Sequence, residues 1–358
     1  MKRIFSCFLA VLVVSLLAGC GSSQAEAPET EPKEREISEK IRETVPEVTE
    51  NPKGELFLTV EKITFSVVGE QEDIYAGSVP ADQVIWTSQD PQVIQVDQGV
   101  LTAVSVGETK ITASFGDQEI SCTAGCLAEN EEELQKLDSS VLQQPKRLPS
   151  DTDDSCLQMI ENAALVGDSI SFGLLNWETQ TGNLGHPLFL VRGGISIFGL
   201  IHQDRLLFYQ GKLTTLEDAV ANSGVQAIYV LLGQNDLGFS DLQTTLSNLD
   251  LLMSRVREKS PEVRIYLQSC FPEKNENSAL NSHNEKLREF NRSLKPYAEE
   301  KGYYYMDVAA YIENHLGSMA NSYSLDEIHL NEQGCLAWMA GLRTGMQALR
   351  LKENSVKS

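Results

Sequence analysis

The chain has 358 residues, of which 51 are acidic and 29 basic, so its formal net charge is −22. This balance excludes proteins that bind the phosphate backbone of nucleic acids, because such binding needs clusters of Lys and Arg. Hydrophobic residues make up 41% of the chain, which is typical of a protein with folded cores and an acidic surface.

The first 19 residues have the pattern of an export signal. Lys2 and Arg3 precede an apolar run over 4–17, shorter than the roughly 20 residues that a membrane-spanning helix needs. The run ends in Leu-Ala-Gly-Cys at 17–20, which resembles the lipobox of bacterial lipoproteins. The resemblance implies acylation of Cys20 and anchoring at the extracytoplasmic face of the cell membrane. An ordinary signal peptide followed by an incidental cysteine is the alternative.

A tether and then a β domain are predicted next. Residues 20–54 are rich in Glu and Pro, and we predict a disordered acidic segment. Residues 55–126 contain short alternating runs such as Thr-Lys-Ile-Thr-Ala-Ser-Phe at 109–115, which predict an antiparallel β-sandwich. The stretch 84–115, with its Trp-Thr-Ser-Gln-Asp-Pro and Val-Asp-Gln-Gly motifs, resembles the bacterial immunoglobulin-like group 2 family. That resemblance implies a spacer or adhesive module, with Trp86 in its core or against a sugar ring.

The cysteines indicate neither a full disulfide framework nor a metal site. Five remain once Cys7 is removed with the signal and Cys20 is acylated, so they cannot all pair. Cys122 and Cys126 are close in sequence, but their spacing leaves a disulfide open. Since no Cys-x-x-Cys motif or neighbouring histidine accompanies them, we expect no metal or other cofactor.

An α/β domain is predicted from 156 to 352, after a polar linker over 127–155 with a short helix near 131–141. Strand-like and helix-like segments alternate there, which predicts a parallel sheet covered by helices on both faces. We predict strands at 163–166, 188–191, 227–232, 264–268 and 303–306, and helices near 214–222, 241–259, 280–300 and 331–349.

Polar residues and glycines follow these strands at the edge where ligands bind in such sheets. Gly-Asp-Ser follows the first strand, Arg-Gly-Gly-Ile-Ser the second and Gly-Gln-Asn-Asp the third, while Asp-Glu-Ile-His precedes the last helix. Gly-Asp-Ser alone also fits a simple helix cap. Four such loops at one edge favour a reactive site. Its candidates are Ser169, Gly193, Gly194, Asn235, Asp326 and His329.

In this order the four motifs resemble the SGNH, or GDSL, hydrolase superfamily over residues 160–350. The resemblance implies a three-layer flavodoxin-like fold and a serine esterase. It implies that Ser169 is the nucleophile, His329 the general base and Asp326 the carboxylate that orients His329. The oxyanion hole would comprise the N–H of Ser169, the side chain of Asn235 and a glycine N–H. We choose Gly194 over Gly193 because it lies nearer the next helix.

These residue types suit ester chemistry, because imidazole can activate a serine hydroxyl and fixed N–H donors can stabilise the resulting oxyanion. We therefore expect a lipid-anchored extracytoplasmic esterase that removes acetyl or another small acyl group from a glycan or a small ester. The alternatives are a surface lipoprotein that binds glycan without turnover and an O-acyltransferase. Trp177 and Phe198 are predicted to line the mouth of the site or to pack in the core.

Overall fold

The computed structural model describes residues 56–357, with gaps at 78, 80, 151–159, 161, 183, 204 and 275–281. The predicted signal, the predicted acylation site Cys20, the predicted tether and Cys156 therefore lie outside the described residues. Every helix in the described ranges is too short or too polar to cross a membrane. The described residues all fall within one compact unit, 51–358.

The part before residue 150 consists of β-sheets. Its strands are β1 (Phe57–Leu58), β2 (Val60–Val67), β3 (Gln71–Asp73), β4 (Ala76–Gly77), β5 (Ile85–Ser88), β6 (Ile94–Asp97), β7 (Val100–Ala103), β8 (Gly107–Phe115), β9 (Gln118–Ala128) and β10 (Arg147–Pro149). A five-stranded sheet has the order β10-β2-β9-β8-β5, and a three-stranded sheet has the order β3-β7-β6. All neighbours in these two sheets are antiparallel except β2 and β9. We call this part the β domain; its relation to the immunoglobulin-like family stays a prediction.

Apolar and polar side chains alternate along the strands, and the apolar ones form the core of the β domain. Ile111 and Ala113 of β8 are fully buried, as the sequence pattern predicts, and Trp86 is half-buried against the same cluster. Cys122 and Cys126 are buried free thiols on β9. Four residues along a strand separate them by about 13 Å, too far for a disulfide. Both cysteines therefore pack as small apolar side chains.

The segment predicted as a linker is mostly folded onto the β domain. It contains α1 (Glu131–Leu134), α2 (Ser139–Leu142) and β10. Two short helices replace the single predicted one because the side chain of Asp138 caps the second, accepting the Ser140 N–H at 2.8 Å. β10 pairs with β2, with Arg147 opposite Ile63. Such pairing depends on a strand far away in sequence, which local patterns do not reveal.

The part that begins at Ala163 is the α/β domain. Its strands are β11 (Ala163–Gly167), β12 (Leu188–Val191), β13 (Leu207–Tyr209), β14 (Lys212–Thr214), β15 (Ala227–Leu231), β16 (Arg264–Gln268) and β17 (Tyr304–Met306). Its helices are α3 (Ser169–Thr181), α4 (Ile197–His202), α5 (Leu216–Ser223), α6 (Gln234–Leu237), α7 (Leu242–Lys259), α8 (Ser282–Lys301) and α9 (Glu332–Lys357). The central sheet is parallel, with the order β12-β11-β15-β16-β17. This confirms the predicted α/β fold.

Side chains from both faces of this sheet are buried, which produces three layers. On β11, Leu165 packs in a cluster with α3 and α9, whereas Val166 packs in the other cluster with α5, α7 and α8. Trp338 of α9 is fully buried and donates its indole N–H to Oε1 of Gln268 at 2.7 Å. The helices thus hold the sheet between two apolar cores, as the alternating pattern of the sequence predicts.

The β domain packs directly on the α/β domain. Arg147 is buried, pairs with Glu72 and lies over the ring of Tyr311 at 5.5 Å. Ser66 Oγ lies 3.2 Å from Nδ1 of His315, and both side chains are buried. Burying the Arg147 guanidinium without the Glu72 carboxylate would destabilise the folded state, so the packing of Arg147 on Tyr311 depends on the ion pair with Glu72. They attach the β domain to the segment 309–320, which precedes the Asp326–His329 loop.

Because His315 is buried, we predict that the free energy of unfolding decreases as the pH falls. Burial lowers the pKa of His315 to about 4, whereas the unfolded chain binds that proton near the ordinary value of about 6.5. The native state therefore loses up to about 3 kcal/mol as the pH falls between these values. We expect His315→Gln to lose less stability than the wild type between pH ~7 and ~4 in urea unfolding. Equal losses in both proteins would contradict this assignment.

Candidate active site

Ser169 lies at the turn between β11 and α3. It is the first residue of the helix, and Asp168 is the N-cap, whose Oδ1 accepts the N–H of Ile170 at 3.0 Å. The half-buried serine therefore lies at the positive end of a 13-residue helix, where the helix dipole favours negative charge. Asp168 therefore provides the helix cap that Gly-Asp-Ser suggested, while the role of Ser169 as nucleophile stays a prediction.

At Gly167 and Gly233, neighbouring atoms leave no space for a side chain. A Cβ on Gly167 would lie 2.0 Å from Oγ of the buried Ser171 and 2.9 Å from the carbonyl oxygen of Leu231. Gly233 has φ +127°, and a Cβ there would lie 2.6 Å from the ring of Phe290. A side chain at these positions would displace the turns that carry Ser169 and Asn235.

Asn235 ties three loops together. Parallel pairing places Gly167 opposite Leu231, so the turns after β11 and β15 are neighbours. The Nδ2 of Asn235 donates to Oδ2 of Asp168 at 3.0 Å and to the carbonyl oxygen of Ile195 at 2.8 Å. Both protons of its amide thus have acceptors, and the side chain is fixed beside the serine turn.

Asp236 holds the start of α4 against the same edge. It is fully buried, and its two carboxylate oxygens accept the N–H groups of Ile197 and Phe198, each at 2.9 Å. Burial raises the pKa of Asp236, while these two hydrogen bonds oppose the rise. The loop after β12 is therefore attached to the loop after β15 by two charge-assisted bonds.

The glycine loop lies beside Ser169 through Gly193. A Cβ on Gly193 would lie 4.0 Å from the Cβ of Ser169, whereas nothing lies within 4 Å of the corresponding position on Gly194. Gly194 has φ +71°, the conformation that glycine adopts readily in turns. Gly193 thus packs beside the serine, and our choice of Gly194 as the oxyanion donor stays a prediction.

Asp326 and His329 form a bonded pair in the loop before α9. The Nδ1–H of His329 donates to Oδ2 of Asp326 at 2.9 Å, while Oδ1 accepts the N–H groups of Ile328 and His329, each at 2.7 Å. These hydrogen bonds, led by that from the His329 backbone, lower the pKa of Asp326 to about 2. Asp326 is therefore a carboxylate near neutral pH, and it leaves Nε2 of His329 available for proton transfer.

His329 lies close enough to the serine turn to affect its charge. Burial raises the pKa of Asp168 to about 6, and the neighbouring His329 opposes this rise. Across the described residues, no hydrogen bond joins Ser169 Oγ to His329 Nε2. Such bonds are often long before substrate binds and tighten in the complex. The serine and asparagine turns thus lie side by side at one edge of the sheet, and the charge of His329 acts on Asp168 in the first of them.

The two aromatic residues predicted to line the mouth of the site, Trp177 and Phe198, differ in their exposure. Trp177 of α3 is buried in the apolar core, so it does not line the mouth of the site. Phe198 is 42% exposed and meets Phe239 edge-on, with ring centroids 6.2 Å apart. The sequence analysis missed Phe239, although an apolar residue in the polar turn after Gly-Gln-Asn-Asp was a signal for it.

Several solved structures align with part of the chain. A GDSL-like lipase from Bacteroides thetaiotaomicron aligns with a TM-score of 0.42 and 13% identity, over 54% of this chain and 89% of that one. A carbohydrate esterase family 3 protein from Talaromyces cellulolyticus gives 0.38 and 16%, over 53% and 98%. The acetylxylan esterase Axe2 from Geobacillus stearothermophilus gives 0.36 and 18%, over 51% and 93%.

A curated relative and a family also match. The chain is 37% identical over 83 residues to the polysaccharide lyase 8 family protein HylA of Enterococcus faecalis, and spans only 6% of its length. The GDSL-like lipase/acylhydrolase family matches residues 165–336. That range begins in β11 and ends in α9, so it contains every loop of the site described above. Residues 165–336, just under half of the chain, are therefore similar to the GDSL-like lipases and acylhydrolases, a family of enzymes that act on ester bonds.

Proposed function

We propose that Ser169, His329 and Asp326 form the catalytic triad of this ester hydrolase, and that it removes small acyl groups from a glycan outside the cytoplasm. The observation that carries the proposal is the 2.9 Å bond between Asp326 and His329 at the same edge of the sheet as Ser169. A module that only binds glycan has no need for a carboxylate that orients an imidazole, so the pair favours an enzyme.

The chemistry follows from these positions. Ser169 Oγ attacks the ester carbonyl carbon while Nε2 of His329 accepts its proton, which requires the two atoms to come within hydrogen-bond distance in the substrate complex. Asp326 accepts the Nδ1–H and stabilises the imidazolium that forms. His329 then protonates the leaving alcohol, and an acyl-serine remains. Water, activated by His329, attacks the acyl-serine and releases the acid.

The negative oxygen of the tetrahedral intermediate needs fixed donors. We assign the Ser169 N–H, a glycine N–H from the turn 193–194, and Nδ2 of Asn235. Because Asp168 and the Ile195 carbonyl accept both protons of Nδ2, the oxyanion must share one of them. Asp168 therefore acts as a positioning residue, which sets where the Asn235 amide lies.

An exposed site supports a polymeric substrate. The side chains of Asp326 and His329 are 54% and 34% exposed, so an acyl group on a long chain can reach them. The net charge of −22 favours a neutral glycan over an anionic one. We further propose that acylated Cys20 anchors the enzyme to the membrane and that the segment 20–54 keeps it near surface polysaccharide.

Acetate release tests the proposed hydrolase directly. We expect residues 21–358 to release acetate from p-nitrophenyl acetate and O-acetylated xylan, and Ser169→Ala to lose at least about a thousandfold in kcat because triad members act as a unit. Ser247→Ala is the matched control, since Ser247 is exposed on α7. Equal rates for the wild type and Ser169→Ala would contradict the proposal. Acyl transfer to added sugar without acid release would indicate a transferase.

The role of Asp168 predicts a separable effect. Asp168→Asn preserves the shape but has one acceptor oxygen where Asp168 has two, so its NH2 group faces either the Asn235 amide or the N–H of Ile170. We expect kcat/KM for p-nitrophenyl acetate to fall by about ten- to a hundredfold, the equivalent of a lost charge-assisted hydrogen bond. Burial raises the pKa of Asp168 to about 6, so its charge is unfavourable in the native state and removing it offsets part of the lost hydrogen bond; we expect only a small change in Tm near neutral pH. Unchanged activity would show that Asp168 does not position Asn235.

A further inference from the structure

An exposed row of rings lies beside the site. Phe239 is 64% exposed, Phe198 meets it edge-on at 6.2 Å, and the ring of His202 lies 4.4 Å from that of Phe198. We call these three residues the aromatic stripe. Two neighbouring phenylalanines left in water are unusual on a soluble surface, and such patches commonly mark binding sites.

Backbone hydrogen bonds connect the aromatic stripe to the oxyanion side of the site. The N–H of Phe198 donates to Oδ1 of Asp236 at 2.9 Å, and the N–H of Phe239 donates to the Asp236 carbonyl oxygen at 3.0 Å. Asp236 directly follows Asn235, whose amide is the proposed oxyanion donor. Both phenylalanines are therefore positioned by the loop that carries Asn235.

The topology separates the aromatic stripe from the acid–base pair. α4, which carries Phe198, follows β12, whereas the loop with Asp326 and His329 follows β17. β12 and β17 are the opposite edge strands of the sheet, and β11, which leads to Ser169, lies next to β12. The leaving alcohol must lie near His329, which protonates it. The acyl substituent then extends away from His329, towards the side of the aromatic stripe.

The chemistry of the aromatic stripe favours hydrocarbon. Phenylalanine offers no hydroxyl to a sugar, and the 81° angle between the Phe198 and Phe239 rings makes a corner instead of a flat platform. A flexible alkyl group can fill such a corner and remove both rings from water.

We propose that the aromatic stripe binds the alkyl part of the acyl group, so that the enzyme prefers esters with acyl groups longer than acetyl. This inference rests on the proposed function, and it narrows the small acyl group to one that carries hydrocarbon beyond the acetyl methyl. Each buried methylene is worth about fourfold in binding. Because the aromatic stripe is open to water on one side, the two extra methylenes of a butanoyl group are only partly buried. They should raise kcat/KM about tenfold over that for the acetyl ester.

The test compares p-nitrophenyl acetate, butanoate and hexanoate with the full mature chain. We expect the butanoate-to-acetate ratio of kcat/KM to be about ten in the wild type and to fall to about two in Phe198→Ala and Phe239→Ala. Phe239→Leu, which keeps an apolar side chain, should retain most of the preference. Ile85→Ala is the control, because Ile85 is 66% exposed on the β domain. A ratio within one variant does not depend on the folded fraction.

The outcomes separate this inference from the proposed function. If Ser169→Ala hydrolyses all three esters as fast as the wild type, the proposed hydrolase fails. If hydrolysis depends on Ser169 but the ratio is near one, or stays at its wild-type value in both alanine variants, the aromatic stripe does not bind the acyl group. Equal losses on every ester would also overturn the inference, because they would show that the rings only support the loop.

Discussion

The parallel pairing of β11 with β15 is the constraint on which the site depends. It places Gly167 opposite Leu231, so the turns after both strands begin side by side. From that pairing follows the bond between Asp168 and Asn235, which joins the serine turn to the asparagine turn. Asp236, the next residue, then secures α4 and the glycine loop. A shift of one residue in the register would separate these partners.

The β domain contributes more than the spacing that its family resemblance implies. Its buried Arg147 and Ser66 contact Tyr311 and His315 in the segment that precedes the acid–base loop. Buried charged and polar groups tolerate little displacement, because a lost partner leaves an unsatisfied group in the core. The β domain thus supports one side of the α/β domain. These contacts fix the orientation of the chain that leads into the Asp326–His329 loop.

Local patterns predicted the parallel sheet closely, because the apolar runs of β11, β15 and β16 are buried on both faces and those of the edge strands β12 and β17 are partly buried. They also predicted which loops share an edge. They did not predict the hairpin β13–β14, whose exposed Phe208 and Leu213 give no core pattern. Nor did they predict β10, whose partner is distant in sequence. Exposure, which distinguishes Phe198 from Trp177, is a property of packing alone.

The central claim is that Ser169 is the nucleophile activated by His329, and covalent labelling tests it most directly. An organophosphate such as p-nitrophenyl diethyl phosphate would phosphorylate the reactive hydroxyl, and peptide mass spectrometry would locate the adduct. The account predicts one adduct, on the peptide that contains Ser169, and much slower labelling in His329→Ala. An adduct on another serine, or labelling of Ser169 that is independent of His329, would contradict it.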